Sequence, residues 1–269
     1  MNKLLKTLAW LAGIAISIYI AVCFYFYFEQ DKMIFHEAKL PQNYKFSYAY
    51  PFEEYAIKNG EDTLSGVLFK TDTTAAKGLI FFLHGNAGNA ADWGDITPEH
   101  TAEGYDMFVL DYPGFGKSTG HINSEAELLT AVQTAYDTLK IKYQGKRIII
   151  MGFSIGTGPS AWLAAHNKPN KLILLAPYYS FTDLAKHLYP YLPAFISKYQ
   201  LNTYSYIKRV KAPVIIFHGN ADETIYYQSS FKLKKHFKKA DQLIILNGQK
   251  HNGIDKNPEY IKRLPALLN

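Results

Sequence analysis

The sequence predicts an α/β fold with a mainly parallel central sheet, preceded by one N-terminal transmembrane helix. Continuous apolar runs of strand length, such as residues 78–83, 105–110 and 171–175, show no polar alternation, which indicates strands covered on both faces. Segments of helical periodicity separate these runs, and strands that alternate with helices are typical of a parallel sheet. An uncharged run over residues 7–28 precedes all of them.

The uncharged run is long enough to cross a membrane as a helix. Its 22 residues would extend about 33 Å, close to the thickness of a hydrocarbon core. The run is longer than the apolar part of an ordinary signal peptide, and no pattern of small residues marks a cleavage site after it. We therefore expect an uncleaved anchor over residues 1–32 and a single domain over residues 33–269.

The charges that flank the anchor predict its orientation. Lys3 and Lys6 precede the uncharged run whereas Glu29 and Asp31 follow it, so the positive-inside rule places the N-terminus in the cytoplasm. The domain would then lie on the outer side, periplasmic or lumenal. Two alternatives stay open, a cleaved signal peptide and lipidation at Cys23, although the valine before that cysteine is bulkier than a lipobox prefers.

Composition and charge exclude several classes of function. The net charge of +6 arises partly from one lysine cluster near the C-terminus without interleaved aromatic residues, so no nucleic-acid partner is expected. A single cysteine, Cys23, excludes an intrachain disulfide and a zinc site built from cysteines. Residues 116–118 read Gly-Lys-Ser like the end of a P-loop, but Asp111 stands where the first glycine is required.

Further elements complete the predicted sheet and its helices. A hairpin is predicted where Asn59-Gly60 separates two alternating segments, and Ser124 with Glu127 predicts a capping box at a helix start. Residues 176–212, rich in tyrosine and proline, form an insertion of the size of a lid, with short helical pieces near 182–188 and 193–199. The other predicted strands cover residues 53–58, 63–70, 148–151, 214–217 and 243–246, and the other predicted helices cover 90–103, 128–143 and 229–239.

A G-x-S-x-G motif follows the apolar strand at residues 148–151. Gly152, Ser154 and Gly156 occupy its fixed positions, and small residues continue into the following helix. In a strand-turn-helix context this motif is a nucleophile elbow, which presents the serine hydroxyl at the edge of the sheet. We predict Ser154 as a nucleophile, and both glycines are expected where a side chain would collide with neighbouring backbone.

A serine nucleophile needs a histidine to accept its proton and an acid to orient that histidine. Hydrolases built around this elbow have the order serine, acid, histidine along the chain. Asp222 follows the strand at 214–217, and His251 lies in a polar loop after the last strand, so we predict them as acid and base. Asp183 is the rival candidate for the acid, but it falls in the insertion. Asp241 is less suitable because it begins a strand rather than following one. The oxyanion donors are predicted at the amides of Ile155, after the nucleophile, and Asn86, in a glycine-flanked loop.

Five motifs are carried by one domain and the segment just before it: HGNAGN (84–89), DYPGFGKS (111–118), GFSIG (152–156), HGNAD (218–222) and QDKMIF (30–35). With these motifs, the chain resembles the α/β-hydrolase superfamily, and within it the membrane-anchored branch called Bem46-like or serine aminopeptidase S33-type. The resemblance implies an α/β-hydrolase fold, the triad of Ser154, Asp222 and His251, and oxyanion donors at Asn86 and Ile155. The chemistry of such a triad needs no cofactor, and no metal site is expected. Tyr226 stands where a proline is frequent, and residues 249–250 replace the small residues that often precede the histidine.

The expected function is that of a serine hydrolase acting on carboxylic esters or thioesters through an acyl-enzyme intermediate. Its partners would be a small acyl substrate, with a lipid-like one favoured by the aromatic insertion, and a membrane bound through the N-terminal helix. One alternative is a peptidase or aminopeptidase for short peptides, with Glu223 as the acidic group that would bind a free amine. Another is a non-catalytic, membrane-tethered binding protein of the same fold, which would not require all three triad groups.

Overall fold

The computed structural model describes residues 2–73 and 75–269 of the chain. Within this part, one sheet of eight strands has the order β1-β2-β4-β3-β5-β6-β7-β8. Strands β1 and β2 form an antiparallel hairpin, β2 also pairs antiparallel with β4, and all later pairings are parallel. The strands are β1 (Phe52–Asn59), β2 (Asp62–Phe69), β3 (Gly78–Leu83), β4 (Tyr105–Leu110), β5 (Arg147–Phe153), β6 (Lys171–Leu175), β7 (Val214–Gly219) and β8 (Gln242–Leu246).

Helices cover both faces of this sheet, and the predicted α/β fold class is confirmed. One core lies between the sheet and α4, α5 and α8, and a second lies between the opposite face and α2 and α9. The helices are α1 (Lys3–Ile34), α2 (Ala90–Trp93), α3 (Thr97–Thr101), α4 (Glu125–Lys142), α5 (Thr157–His166), α6 (Phe181–Leu188), α7 (Thr203–Ile207), α8 (Gln228–Lys234) and α9 (Pro258–Leu268).

The predicted hairpin and strands are confirmed. They were predictable because the pattern that indicates each one lies within its own short segment of the sequence. The turn between β1 and β2 contains Gly60 at φ 62°, a left-handed conformation that glycine adopts without strain. Helix α9 is capped by Asn257, whose side chain accepts hydrogen bonds from the amides of Glu259 and Tyr260, and Pro258 lies in the first turn. Strand β3 and strand β4 lie side by side in parallel, so their carboxyl ends share one edge of the sheet.

Several helix predictions are wrong in extent. The helix predicted over residues 90–103 is broken into α2, a 3-10 turn and α3, with Pro98 at the start of α3. Helix α8 ends at Lys234 instead of Lys239, and Phe231 on it is exposed. In the insertion, residues 193–199 form only the 3-10 turn Ala194–Ile196, whereas α7 was not predicted.

The predicted capping box at α4 forms only in part. Ser124 accepts a hydrogen bond from the Glu127 amide as expected. The Glu127 carboxylate, however, accepts from the amide and side chain of Asn123, one residue before the cap. The Ser124 cap still satisfies an amide of the first turn, so the helix begins where the sequence predicts.

Helix α1 is long and apolar enough to cross a membrane, by length and composition, a test that a signal sequence also passes. Its side chains are exposed over most of its length, but its last turns contact the domain. Gln30 there is buried, and Phe35 just after the helix packs edge to face against Tyr199 of the insertion with ring centroids 5.2 Å apart. The helix therefore ends against the insertion rather than in a free linker.

Candidate active site

The nucleophile elbow has the geometry that its sequence predicts. Ser154 has φ 52°, a conformation that costs a non-glycine residue on the order of 1–2 kcal/mol, between β5 and α5. A Cβ on Gly152 would lie 2.3 Å from Ser160 Oγ and 2.6 Å from the carbonyl oxygen of Gly156. A Cβ on Gly156 would lie 2.2 Å from the carbonyl oxygen of Leu83. The turn therefore closes only with glycine at both positions.

The three residues predicted as a triad are hydrogen-bonded to one another. The Ser154 hydroxyl lies 3.0 Å from His251 Nε2, and His251 Nδ1 lies 2.8 Å from Asp222 Oδ2. Because Nδ1 faces a carboxylate, it carries the hydrogen, which leaves Nε2 free to accept the serine proton. All three residues are buried, with exposed fractions of 6%, 9% and 8% for Ser154, Asp222 and His251.

Asp222 is held ionised by four hydrogen-bond donors. Burial alone would raise the pKa of its carboxyl, but hydrogen bonds from His218 and His251 outweigh this and hold the pKa well below its usual range. Its Oδ1 accepts from the amides of Thr224 and Ile225 at 2.8 and 2.9 Å. An ionised carboxylate at this place stabilises the positive charge that His251 acquires when it takes a proton.

His218 contributes to this site in a way that the sequence did not predict. Its Nε2 faces two acceptors, the Ile225 carbonyl oxygen at 2.9 Å and Asp222 Oδ2 at 3.2 Å, so Nε2 carries the hydrogen. Its Nδ1 accepts from the Ser230 hydroxyl at 2.7 Å. Both the bond to the Ile225 carbonyl oxygen and the bond to Asp222 depend on how the loop after β7 folds back over His218.

The predicted oxyanion donors lie next to Ser154 in the same cavity. Among the described residues, no acceptor takes the amide hydrogen of Asn86, and its carbonyl oxygen accepts from the His36 amide at 2.9 Å. Ile155 follows the nucleophile at the helix start, where amides have no partner within the helix, and its carbonyl oxygen accepts from the Tyr178 hydroxyl at 3.0 Å. The role of both amides in binding an oxyanion stays a prediction.

The cavity above Ser154 has a volume of about 220 Å³ and is mostly apolar. The insertion forms much of its wall, including Tyr178 and Phe181, and the end of α1 forms another part. Lys186 is the one charged residue among the described residues that line it. The part of α1 in the wall was not predicted, because no local pattern in the sequence shows which distant segments the end of an anchor contacts.

The rival acids and the other histidines have other partners. Asp183 accepts from the Tyr226 hydroxyl and from Lys232 Nζ, which tie the insertion to α8. Asp241 caps the Val214 amide on a neighbouring strand. His84 is buried and binds the Gly85 carbonyl oxygen through Nδ1, as expected for a strand end. Within residues 2–73 and 75–269, no cluster of three or more His, Cys, Asp or Glu residues has a metal-binding arrangement.

Asp111 supports the loop that carries Asn86, and its contribution to the stability of the fold depends on pH. Its Oδ1 accepts from the Ala90 amide at 2.7 Å, but its buried Oδ2 has no partner among the described residues. Burial raises the pKa of this carboxyl to about 7. The folded state therefore retains a proton that the unfolded state loses near pH 4, so this group stabilises the fold most at low pH, and that contribution is lost as pH rises from about 4 to 7.

Replacing Asp111 with asparagine is expected to remove this pH dependence. Relative to wild type, the free energy of unfolding of Asp111→Asn should rise by a few kcal/mol, on the order of one per pH unit, between about pH 4 and 7. Chemical denaturation at a series of pH values measures this difference. Asp137→Asn, at an exposed carboxylate on α4, is the control and should give a curve parallel to wild type. If the curve of Asp111→Asn also ran parallel to that of wild type, the pKa of the Asp111 carboxyl would not be raised and the account would be wrong.

Comparison with known proteins gives relatives of the same fold. The family described as serine aminopeptidase S33 matches residues 74–206. Alpha/beta hydrolase domain-containing protein 17C of Mus musculus is 27% identical over 229 residues, which cover 81% of this chain and 68% of that protein. Protein 17B of Xenopus laevis is 29% identical over 203 residues, covering 72% of this chain and 67% of that protein. The chain thus spans about two thirds of the length of these relatives.

Solved structures share the fold at lower sequence identity. Est1E from Butyrivibrio proteoclasticus has a TM-score of 0.69 and 19% identity, covering 80% of this chain and 97% of that chain. An esterase of Pyrococcus furiosus has a TM-score of 0.68 and 18% identity, covering 87% and 97%. At these identities the likeness establishes the fold alone. The family match, the curated relatives and the shared architecture together identify this chain as a member of the α/β-hydrolase superfamily.

Proposed function

We propose that the protein is a serine hydrolase that cleaves carboxylic esters or thioesters through an acyl-enzyme on Ser154. The observation that carries this proposal is the chain of hydrogen bonds from the Ser154 hydroxyl through His251 to Asp222, with Ser154 at the floor of an apolar cavity. A strained serine, a histidine in the accepting tautomer and an ionised acid are the parts that acyl transfer requires.

In the first half-reaction, Ser154 Oγ attacks the carbonyl carbon of the substrate while its proton passes to His251 Nε2. The amides of Asn86 and Ile155 donate hydrogen bonds to the negative oxygen that forms. The bond from carbon to the alcohol oxygen, or to the thiol sulfur, then breaks, and His251 returns the proton to the leaving group. An acyl group remains on Ser154.

In the second half-reaction, a water molecule takes the place of the leaving group. His251 accepts a proton from the water as its oxygen attacks the acyl carbon. Collapse of this intermediate breaks the bond to Ser154 Oγ, which regains its proton from His251, and a carboxylic acid is released. Asp222 stays ionised throughout and holds the imidazole in place.

The lining of the cavity favours a substrate whose acyl group is a hydrocarbon chain over a substrate with an aminoacyl group. An aminopeptidase needs an acidic group for the free amine of its substrate, but no aspartate or glutamate is among the described residues that line the cavity. Glu223, the acidic residue considered for this role, lies at the surface and pairs with Lys250 at 3.2 Å. The apolar lining favours hydrocarbon.

We also propose that α1 anchors the protein in a membrane, with the N-terminus in the cytoplasm and the hydrolase domain on the outer side. The charges that flank the apolar run support this orientation. Fusion of a reporter protein that is active on only one side of the membrane, placed after Asn269, would test it.

Substrate preference tests the proposed chemistry. The purified full chain should hydrolyse p-nitrophenyl esters or the matching thioesters with kcat/KM at least about 100-fold above that for aminoacyl arylamides, since the described residues that line the cavity include no carboxylate for the amine. The measurement is a panel of esters of increasing acyl length against arylamides of several amino acids. A preference for the arylamides would contradict the proposal and favour the peptidase alternative.

A further inference from the structure

Helix α1 is joined to the insertion by partly buried polar contacts. The Gln30 side chain donates to the Ile196 carbonyl oxygen at 3.1 Å and accepts from the Lys198 amide at 2.8 Å. Asp31 accepts from Lys198 Nζ at 2.6 Å and from the Tyr199 hydroxyl at 2.8 Å. These contacts fix the end of the helix against the residues that cover Ser154.

One face of α1 forms a wall of the cavity above Ser154. Phe26, Gln30, Met33 and Ile34 line this cavity, and their spacing places them on a single side of the helix. Toward the N-terminus, the half-buried Phe26 packs against Tyr189 with ring centroids 5.4 Å apart. The cavity wall therefore continues along the helix toward its apolar run.

The tip of the insertion reaches far down the apolar run of α1. The Tyr19 hydroxyl donates to the Tyr191 carbonyl oxygen at 2.9 Å. Tyr19 lies nine residues before Phe28, the end of the uncharged run, which is roughly 14 Å along the helix axis. When α1 spans a bilayer, the carbonyl of Tyr191 lies within the hydrocarbon of the leaflet on the side of the domain, since a leaflet's hydrocarbon is about 15 Å thick.

The side chains and backbone of this tip fit a lipid environment. Tyr191 and Phe195, four residues apart in the insertion, are 86% and 87% exposed, an unusual state for two aromatic side chains of one short segment in water. A non-helical backbone carbonyl at this depth must have a hydrogen-bond donor, and Tyr19 supplies one to Tyr191. The exposed aromatics and the satisfied carbonyl are independent observations with the same implication.

We propose that the substrate is a membrane lipid ester whose acyl chain passes from the bilayer to Ser154 between α1 and the insertion. This proposal rests on the proposed function and adds its substrate class and its route. The chain of such a lipid would meet mostly apolar side chains from leaflet to cavity, because the face of α1 along this path is apolar except for Gln30, whose amide is hydrogen-bonded to the insertion. Helix α1 is thus part of the acyl-binding site as well as the anchor.

The depth of the insertion tests the route without any enzymatic readout. In a Cys23→Ser background, Phe195→Cys carries a nitroxide in the full chain reconstituted into phosphatidylcholine vesicles. Collisions with oxygen should exceed those with a water-soluble nickel chelate by at least about fivefold at this position, because oxygen concentrates in hydrocarbon. Phe231→Cys on α8, which is 45% exposed away from the cavity, is the control and should show the reverse. Equal nickel accessibility at both positions would overturn the route.

A variant with a larger side chain beside the proposed route tests whether the acyl chain of the substrate passes through it. Ala194 is exposed and also lines the cavity, so it lies where the cavity opens beside α1. Ala194→Trp should lower the ratio of kcat/KM for methylumbelliferyl palmitate in vesicles to that for the soluble butyrate by at least about tenfold, since it displaces methylene groups from the wall. Ala240→Trp, at an exposed position outside the cavity, should leave the ratio unchanged.

An unchanged ratio in Ala194→Trp would overturn the route while leaving the proposed function intact. Failure of the wild-type chain to hydrolyse either ester would instead remove the proposed function, and the lipid substrate with it. The nitroxide measurement separates the two cases, because it reports where the insertion lies whether or not Ser154 is reactive.

Discussion

Replacing Ser154 with alanine is expected to lower kcat/KM for ester hydrolysis by at least about 10⁴-fold, because the variant has no atom on which an acyl-enzyme can form. The fold should persist. Alanine keeps the backbone at the φ of 52° and removes only the hydrogen bond to His251, so the free energy of unfolding should change by no more than about 1 kcal/mol. Steady-state hydrolysis of a p-nitrophenyl ester and chemical denaturation measure the two effects.

Ser205→Ala, in α7 and away from the cavity, is the control for this substitution. It should retain activity within about twofold of wild type, since it removes no group that contacts the substrate. A Ser154→Ala variant that kept more than a few per cent of the activity would contradict the assignment of the nucleophile. The account would then have to explain hydrolysis by a residue outside the hydrogen-bonded group.

Replacing Gly156 with alanine is expected to destabilise the protein by several kcal/mol. The backbone at Gly156 has φ −62°, which alanine adopts readily, so the effect is steric. The new Cβ would lie 2.2 Å from the Leu83 carbonyl oxygen and 2.5 Å from that of His84, and neither can move without disrupting β3 and the loop after it. The midpoint of thermal unfolding and the yield of soluble protein measure this loss.

Gly13→Ala in α1 is a matched control, because a Cβ there meets nothing within 4 Å. It should leave the unfolding of the domain unchanged. An unfolding midpoint for Gly156→Ala equal to that of Gly13→Ala would show that the elbow has more room than the structure indicates, and the close packing argued for the turn would be wrong.

Much of the fold was predictable because its signals are local. The strands at residues 78–83, 105–110 and 171–175 match β3, β4 and β6 from end to end, since a short apolar run bounded by turn residues contains its own limits. The elbow motif likewise lies within one strand-turn-helix unit, and chain order together with loop position selected Asp222 and His251. In the structure these two residues contact each other and Ser154 directly.

Features that depend on contacts between distant segments were missed. The second bond from His218 to Asp222 requires the loop after β7 to fold back, and no local pattern describes that loop. The packing of α1 on the insertion joins Gln30 to Lys198, which are 168 residues apart. A polar Gln-Asp pair at the end of an apolar run was the available signal, since such groups need partners when the helix end is buried. Pro98 indicated that the predicted helix would break after α2, but it did not indicate that a separate helix, α3, would begin at Thr97.

The central claim is that Ser154 is the residue that becomes acylated. Labelling of the full chain with a fluorophosphonate, followed by protease digestion and mass spectrometry, tests it most directly because the probe forms a stable adduct with an activated serine. The account predicts one adduct, on the peptide that contains Ser154, and no adduct in Ser154→Ala. Labelling of a different serine, or equal labelling of wild type and Ser154→Ala, would contradict it.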